Sequence, residues 1–123
     1  MSNILVVDDD TSILTFIDHA LRDSHDIFTS ETVFGAENIS KNNKIELLIA
    51  DLVIPDKNGI DMIMEFKKNH PEMPILAISG GGGITGRFDY LPIAKLVGAE
   101  MTLKKPFTTT ELRNSVKNIL ENS

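Results

Sequence analysis

The chain has 123 residues, enough for one domain around a single hydrophobic core. Its net charge of −6 argues against nonspecific electrostatic binding to nucleic acid or to an anionic membrane. The absence of cysteine excludes disulfides, thiolate metal sites and cysteine nucleophiles, and it suits a reducing cytosol. Because the first residues do not resemble a signal peptide, we expect a cytoplasmic protein without membrane insertion.

The first element is a short apolar run at residues 4–7, which predicts a buried strand and ends at three consecutive acids, Asp8, Asp9 and Asp10. Beyond them, apolar residues recur at the three- and four-residue spacing of one helix face. These residues are Ile13, Leu14, Ile17, Ala20 and Leu21. The expected N-cap is Asp10 or Thr11, and because capping needs no further chemistry, Asp10 is left out of the candidate site.

A weaker strand pattern at residues 26–30 and a short helix come next in the chain. The helix is predicted to end before a polar turn at residues 41–44. Its apolar positions are Val33, Ala36 and Ile39.

The segment at residues 45–50 is the central feature of the sequence. It is too short for a helix and almost continuously apolar, which favours a parallel strand covered on both faces. Asp51 ends this run, and Pro55 and the polar residues up to Gly59 break the chain at once. Asp51 is therefore predicted at the carboxyl end of a central strand, where open α/β sheets bind their ligands.

The second half of the chain repeats the alternation. A third helix, with Ile60, Ile63 and Phe66 inward, is predicted to end before Pro71. Residues 74–78 predict a fourth strand, and Ser79 ends it as Asp51 ends the third. Five of the residues 80–88 are glycine, so no regular structure is predicted there.

The last two helices have recognisable ends. Asp89 is the predicted N-cap of the fourth helix, and Gly98 is its predicted stop. Residues 101–103 predict a fifth strand. A capping box formed by Thr108 and Glu111 predicts the start of the fifth helix.

Five strand candidates thus alternate with five helix candidates at the intervals expected of βα units. This pattern predicts a doubly wound α/β fold with a five-stranded parallel sheet and helices on both faces. No repeat or linker divides the chain, so residues 1–123 are predicted to form one domain.

Polar side chains follow four of the predicted strands: Asp8 and Asp9, Asp51, Ser79, and Lys105. The carboxyl ends of parallel strands share one edge, and the acids meet if the first and third strands are neighbours. Three close carboxylates raise one another's pKa unless a cation lies among them, and an oxygen-only ligand set favours Mg²⁺. Lys105 and Ser79 would then donate hydrogen bonds to the oxygens of a bound anion.

Five sequence motifs, in this order along the whole chain, resemble the receiver domain of two-component response regulators, as in single-domain chemotaxis regulators. The motifs are Val6-Val7-Asp8-Asp9, Asp51-Leu-Val-Ile-Pro55 with Gly59, Ile78-Ser79-Gly80, Gly98-Ala99 and Lys105-Pro106-Phe107. The resemblance implies a flavodoxin-like receiver fold with strand order 2-1-3-4-5.

The resemblance also implies a role for each site residue. Asp51 would be the phosphoacceptor, taking a phosphoryl group from the phosphohistidine of a sensor histidine kinase or phosphotransfer protein. Mg²⁺ would be bound by Asp9, Asp51 and the backbone carbonyl of Val53, with Asp8 acting mainly through water. Lys105 would hold a phosphoryl oxygen and precede a cis peptide bond to Pro106, and Ser79 would be the hydroxyl that turns toward the phosphoryl group.

Two departures from the receiver pattern concern the switch. Thr102 stands three residues before Lys105, where receiver domains commonly have Tyr or Phe. The segment between Ser79 and Lys105 is longer than usual, with the excess at residues 80–88. We therefore expect this glycine-rich loop, mobile before phosphorylation, to carry the coupling through its backbone.

Two other functions remain open at this stage. A small Mg²⁺-dependent phosphohydrolase with Asp51 as nucleophile would need a second acid near it to activate water, and Val53, two residues on, cannot do this. A receiver-like module that is never phosphorylated is disfavoured because every site residue is present. A switch protein that is not itself an enzyme is therefore the favoured function.

Partners can be described only by class. We expect a downstream protein target, with the fourth helix, fifth strand and fifth helix as the contact face implied by the resemblance. No direct contact with nucleic acid is expected, and the chain is expected to be a monomer or weak dimer. Whether it is free-standing or part of a longer regulator is left open.

Overall fold

The computed structural model describes residues 2–80 and 90–122. The strands in these residues are β1 (Asn3–Val7), β2 (Asp26–Ser30), β3 (Leu47–Asp51), β4 (Val53–Ile54), β5 (Lys57–Asn58), β6 (Ile75–Ser79) and β7 (Met101–Lys104). The helices are α1 (Thr11–Leu21), α2 (Val33–Asn42), α3 (Gly59–Asn69), α4 (Leu91–Val97) and α5 (Thr109–Glu121).

Five strands form one parallel sheet in the order β2-β1-β3-β6-β7. β4 and β5 form a separate antiparallel hairpin, so this order is the expected 2-1-3-4-5 and the doubly wound α/β fold is confirmed. The winding reverses between β1 and β3. A crevice therefore opens at the carboxyl ends of these two strands.

The sheet separates two hydrophobic clusters. Along β1, Leu5 and Val7 pack with residues of α2, α3 and α4, whereas Ile4 and Val6 pack with residues of α1 and α5. Every residue of β3 and β6 is buried. Burial on both faces explains why the central strand shows no alternation in the sequence.

Three helix ends follow the predicted caps. The Asp10 side chain accepts a hydrogen bond from the Ser12 N–H and caps α1. The capping box of Thr108 and Glu111 opens α5, because each side chain accepts from the other residue's backbone N–H. Gly98 follows α4 with a φ of 135°, a conformation that side chains other than glycine rarely adopt.

Two predicted boundaries differ from the structure. α2 continues through Asn42 and does not stop before a turn at Lys41. The Asn42 and Asn43 side-chain amides donate to carbonyls one turn back, which extends the helix end without any apolar residue to signal it. β3 begins at Leu47, two residues later than the apolar run suggested.

The loop expected to be mobile, residues 80–88, lies outside the described residues except for Gly80. The prediction of Asp89 as the N-cap of α4 is wrong, because the helix begins at Leu91 and its N-cap position is Tyr90. α4 begins at Leu91 with Pro92 in its first turn, as predicted. In the described ranges the longest helix has 13 residues, and none is long and apolar enough to cross a bilayer.

Candidate functional site

Three carboxylates meet at the crevice between β1 and β3. Asp8 and Asp9 directly follow β1, Asp51 is the last residue of β3, and the two strands pair in register up to Val7 and Ala50. One carboxylate oxygen from each acid lies within 4.8 Å of the others. Asp8 and Asp51 are buried and Asp9 is exposed, so the group is open to solvent on one side.

Lys105 bridges the two buried acids. Its Nζ donates to Asp8 Oδ2 and to Asp51 Oδ2, both at 2.8 Å. The side chain reaches this position from the end of β7, where the Lys105 N–H donates to the Ser79 carbonyl at 2.8 Å. The peptide bond between Lys105 and Pro106 is cis, as the resemblance implied.

Ser79 ends β6, the strand between β3 and β7, and is almost fully buried. Asp51 pairs with Ile78 in the sheet register, so Ser79 lies one position beyond the acid on the adjacent strand. The sheet thus brings Ser79 to the same edge as Asp51 and Lys105, as predicted. Thr102 occupies β7 opposite Ala77.

Burial and ion pairing oppose each other in this cluster. Burial raises the pKa of the Asp8 carboxyl, the hydrogen bonds from Lys105 and from the Asp10 N–H lower it, and the charge of Asp51 raises it again; the net shift is upward. Burial alone would lower the pKa of the Lys105 ammonium, but its hydrogen bonds with Asp51 and Asp8 raise it above its ordinary value. Lys105 is therefore held as a cation.

The backbone after Asp51 is held close to the acid. The Val53 N–H donates to Asp51 Oδ1 at 2.9 Å. Gly59 opens α3 directly against Leu52, where an added Cβ would lie 2.1 Å from the Leu52 carbonyl oxygen. Only glycine fits this approach, which gives a physical reason for the spacing between Asp51 and Gly59.

Comparison with known families agrees with this arrangement: the model of the response regulator receiver domain matches residues 4–117. The chain belongs to this family. Membership implies two-component signalling through a phosphorylation switch. Receiver domains are phosphorylated by histidine kinases and bind Mg²⁺ at a cluster of acidic residues, and this chain has such a cluster.

Solved receiver structures resemble this one over nearly their whole length. The receiver domain of NtrX from Brucella abortus is 30% identical with a TM-score of 0.88, covering 98% of this chain and 99% of that one. A receiver domain from Clostridium thermocellum is 28% identical with a TM-score of 0.87, covering 99% and 96%.

Curated relatives are longer than this receiver domain. The DNA-binding transcriptional regulator NtrC of Azospirillum brasilense is 30% identical over 99% of this chain. The alkaline phosphatase synthesis transcriptional regulatory protein PhoP of Bacillus subtilis is 30% identical over 98%. The chain spans 25% of the length of the first and 49% of the second.

The acidic cluster of this receiver domain suits a magnesium ion. Asp8, Asp9 and Asp51 offer only carboxylate oxygens, which hard divalent cations prefer. The one ammonium of Lys105 leaves negative charge uncompensated, so a bound cation relieves repulsion among the acids. No other group of three or more possible metal-binding side chains occurs in residues 2–80 and 90–122.

Sequence reasoning missed one residue near the site, Asp56, which it treated only as part of a chain-breaking cluster. Both Asp56 carboxylate oxygens accept from the Val33 N–H at 3.1 Å, and Oδ2 also accepts from the Phe34 N–H at 3.2 Å. No local pattern signals this contact, because the partners lie 23 and 22 residues away in the chain.

Proposed function

We propose that this receiver domain accepts a phosphoryl group on Asp51 from the phosphohistidine of a sensor histidine kinase or phosphotransfer protein. The observation that carries the proposal is the convergence of Asp8, Asp9 and Asp51, two of which, Asp8 and Asp51, pair with the ammonium of Lys105. Among these acids, Asp51 is the one that ends the central strand, and the Val53 N–H holds its carboxylate.

The transfer exchanges one bond to phosphorus for another. A carboxylate oxygen of Asp51 attacks the phosphorus, the bond between phosphorus and the histidine nitrogen breaks, and the imidazole leaves with the electron pair and takes up a proton. Lys105, which already contacts Asp51 Oδ2, neutralises charge on the phosphoryl oxygens. Ser79 supplies a hydroxyl donor from the adjacent strand.

Four residues would hold the metal: Asp8, Asp9, Asp51 and, through its backbone carbonyl, Val53. When bound, Mg²⁺ would supply positive charge to the phosphoryl oxygens. The three acids orient the group, and the buried position of Asp8 and Asp51 keeps water from most of their surface.

The output of the switch is proposed to be a change in binding to a protein partner. The net charge of −6 disfavours direct contact with nucleic acid. We further propose that residues 1–123 act as one receiver domain, as a monomer or weak dimer, in the cytoplasm.

Incubation with Mg²⁺ and a small acyl-phosphate donor, followed by intact-mass measurement, tests the proposal. The protein should gain one phosphoryl group, and Asp51→Asn should gain none while keeping its fold. Asp10→Asn is the matched control, because Asp10 lies beside the cluster but caps α1.

Other outcomes of the same experiment point to other functions. Rapid turnover of the donor without an adduct would support a phosphohydrolase, and neither adduct nor turnover would indicate a module that is never phosphorylated. Single-site phosphorylation of Asp51→Asn would overturn the assignment of Asp51.

A further inference from the structure

Asp56 connects the loop after the phosphoacceptor to the start of α2. Its carboxylate accepts three hydrogen bonds from the first two backbone N–H groups of the helix, those of Val33 and Phe34. Carboxylates are favourable at helix N-termini because the backbone N–H groups there have no partners within the helix.

α2 also has a local cap, so Asp56 is a second one. The Thr32 side chain accepts from the Gly35 N–H at 3.0 Å, as an N-cap residue is expected to do. Asp56 and Phe34 are exposed, whereas Ile54 of the hairpin and Val33 of α2 are buried in the same hydrophobic cluster. The hydrogen bonds of Asp56 add a polar connection between the hairpin and α2 at the surface, beside this apolar cluster.

These bonds complete a chain of contacts between the two sides of the acidic cluster. On one side, the Asp8 N–H donates to the Ser30 carbonyl at 3.1 Å, and the Ser30 hydroxyl donates to the Thr32 carbonyl at 2.8 Å. Asp56 then links the residue after Thr32 to the β4–β5 hairpin. This chain of contacts begins at Asp8 and reaches the loop that follows Asp51.

The hairpin extends this chain of contacts to the phosphoacceptor, Asp51. Its first residue is Val53, whose N–H donates to Asp51 Oδ1. Its other side is held to α3 by the Lys57–Glu65 ion pair and by the Asn58 cap. Asp56 therefore holds the side of the hairpin that faces α2, and the other contacts hold the side that faces α3.

We propose that Asp56 is a positioning residue for the phosphoryl-acceptor site, because it holds the β4–β5 hairpin so that the Val53 backbone stays against the Asp51 carboxylate. The inference rests on the proposed function, in which the Val53 carbonyl and the Asp51 carboxylate both bind the metal. Asp56 touches neither the phosphoryl group nor the metal. It acts through Val53.

Two alanine variants separate positioning from simple helix capping. Asp56→Ala and Thr32→Ala each remove a cap of α2, but only Asp56→Ala also removes a contact with the hairpin. Asp56→Asn keeps an acceptor oxygen and serves as a milder variant that retains part of the contact. The measurements are hydrogen exchange of the Val53 amide without metal and the affinity for Mg²⁺ by titration calorimetry.

Asp56→Ala should accelerate exchange of the Val53 amide and weaken Mg²⁺ binding by about 10-fold, the lower end of the effect seen when partners of metal ligands are removed. Thr32→Ala should leave both unchanged, and Asp56→Asn should fall between. If Asp56→Ala and Thr32→Ala behave alike in both measurements, Asp56 is only a cap and the inference is wrong.

Failure of the proposed function gives a different result. A wild-type protein that binds no Mg²⁺ would refute the metal site whatever the variants do. Val53 exchange, which needs no metal, would still decide whether Asp56 holds the hairpin.

Discussion

Replacing Lys105 by methionine should destabilise the metal-free protein strongly at neutral pH. The substitution keeps an unbranched side chain, one atom shorter, but removes the ammonium that pairs with Asp8 and Asp51. The Asp8 side chain has no exposed surface and that of Asp51 is 8% exposed. Two buried carboxylates would then lie near Asp9 with no positive partner of their own.

Removing one partner of a buried ion pair costs about 3–5 kcal/mol. Because the Lys105 side chain is 20% exposed, water offsets part of this cost, and we expect a loss of about 2–4 kcal/mol. For a domain of this size, each kcal/mol lowers the melting temperature by about 4 °C, so the expected fall is about 8–16 °C.

The loss should depend on pH and on metal. The pKa of the folded-state Asp8 carboxyl is already raised, and removing Lys105 removes two of the contributions that lower it. A carboxyl whose pKa is higher in the folded state than in the unfolded state lowers the unfolding free energy as pH rises above the unfolded-state pKa. The difference in unfolding free energy between wild type and Lys105→Met should therefore be largest at neutral pH and shrink as pH falls. Added Mg²⁺ should also reduce it, by supplying another positive charge.

Urea denaturation of wild type and Lys105→Met at two pH values, with and without Mg²⁺, measures these differences. The double variant Lys105→Met with Asp8→Asn should recover part of the lost stability, because one uncompensated charge is gone. A Lys105→Met protein within about 1 kcal/mol of wild type at neutral pH without metal would refute the ion-pair reasoning.

Three further predictions concern the metal, the lifetime of the phosphorylated state and pH. Asp9→Asn should weaken Mg²⁺ binding in calorimetry, yet without metal its melting temperature should rise or stay level, because repulsion among the acids falls; a clear drop would count against clustered acids. Phosphorylated protein should decay slowly when followed by mass, because the residues two positions after Asp51 and Ser79 are Val53 and Gly81, which have no polar side chain to orient an attacking water; loss within seconds would contradict this. Burial lowers the pKa of His25 from 6.5, and its Nδ1 accepts from the Ser2 N–H. Because the unfolded state then binds the proton more readily, unfolding free energy should fall as pH drops below about 6.5, and His25→Gln should lessen the fall; an identical fall in the variant would remove His25 as the cause.

The sheet and the convergence of the acids could be predicted because their signals are local. Continuous apolar runs mark the buried strands, and each site side chain stands where such a run ends. Parallel pairing then places those ends at one edge without any detailed contact being known. The capping box of Thr108 and Glu111 is local for the same reason, since its two residues lie within one turn.

What could not be predicted depends on contacts between distant residues or on very short elements. The β4–β5 hairpin has strands of two residues each, too short to show a period. The hydrogen bonds of Asp56 join segments that no spacing rule connects. The pairing of Lys105 with both Asp8 and Asp51 needed the fold, because only the sheet order brings the end of β7 over these acids.

The location of the phosphoryl group is the most direct test of the central proposal. After incubation with Mg²⁺ and an acyl-phosphate donor, borohydride reduces an aspartyl phosphate to the alcohol, and peptide mapping by mass finds the altered residue. Only the peptide containing Asp51 should change, and the change should be absent without donor. Modification at Asp8 or Asp9, or a phosphoryl group that borohydride leaves in place, would contradict phosphorylation of Asp51.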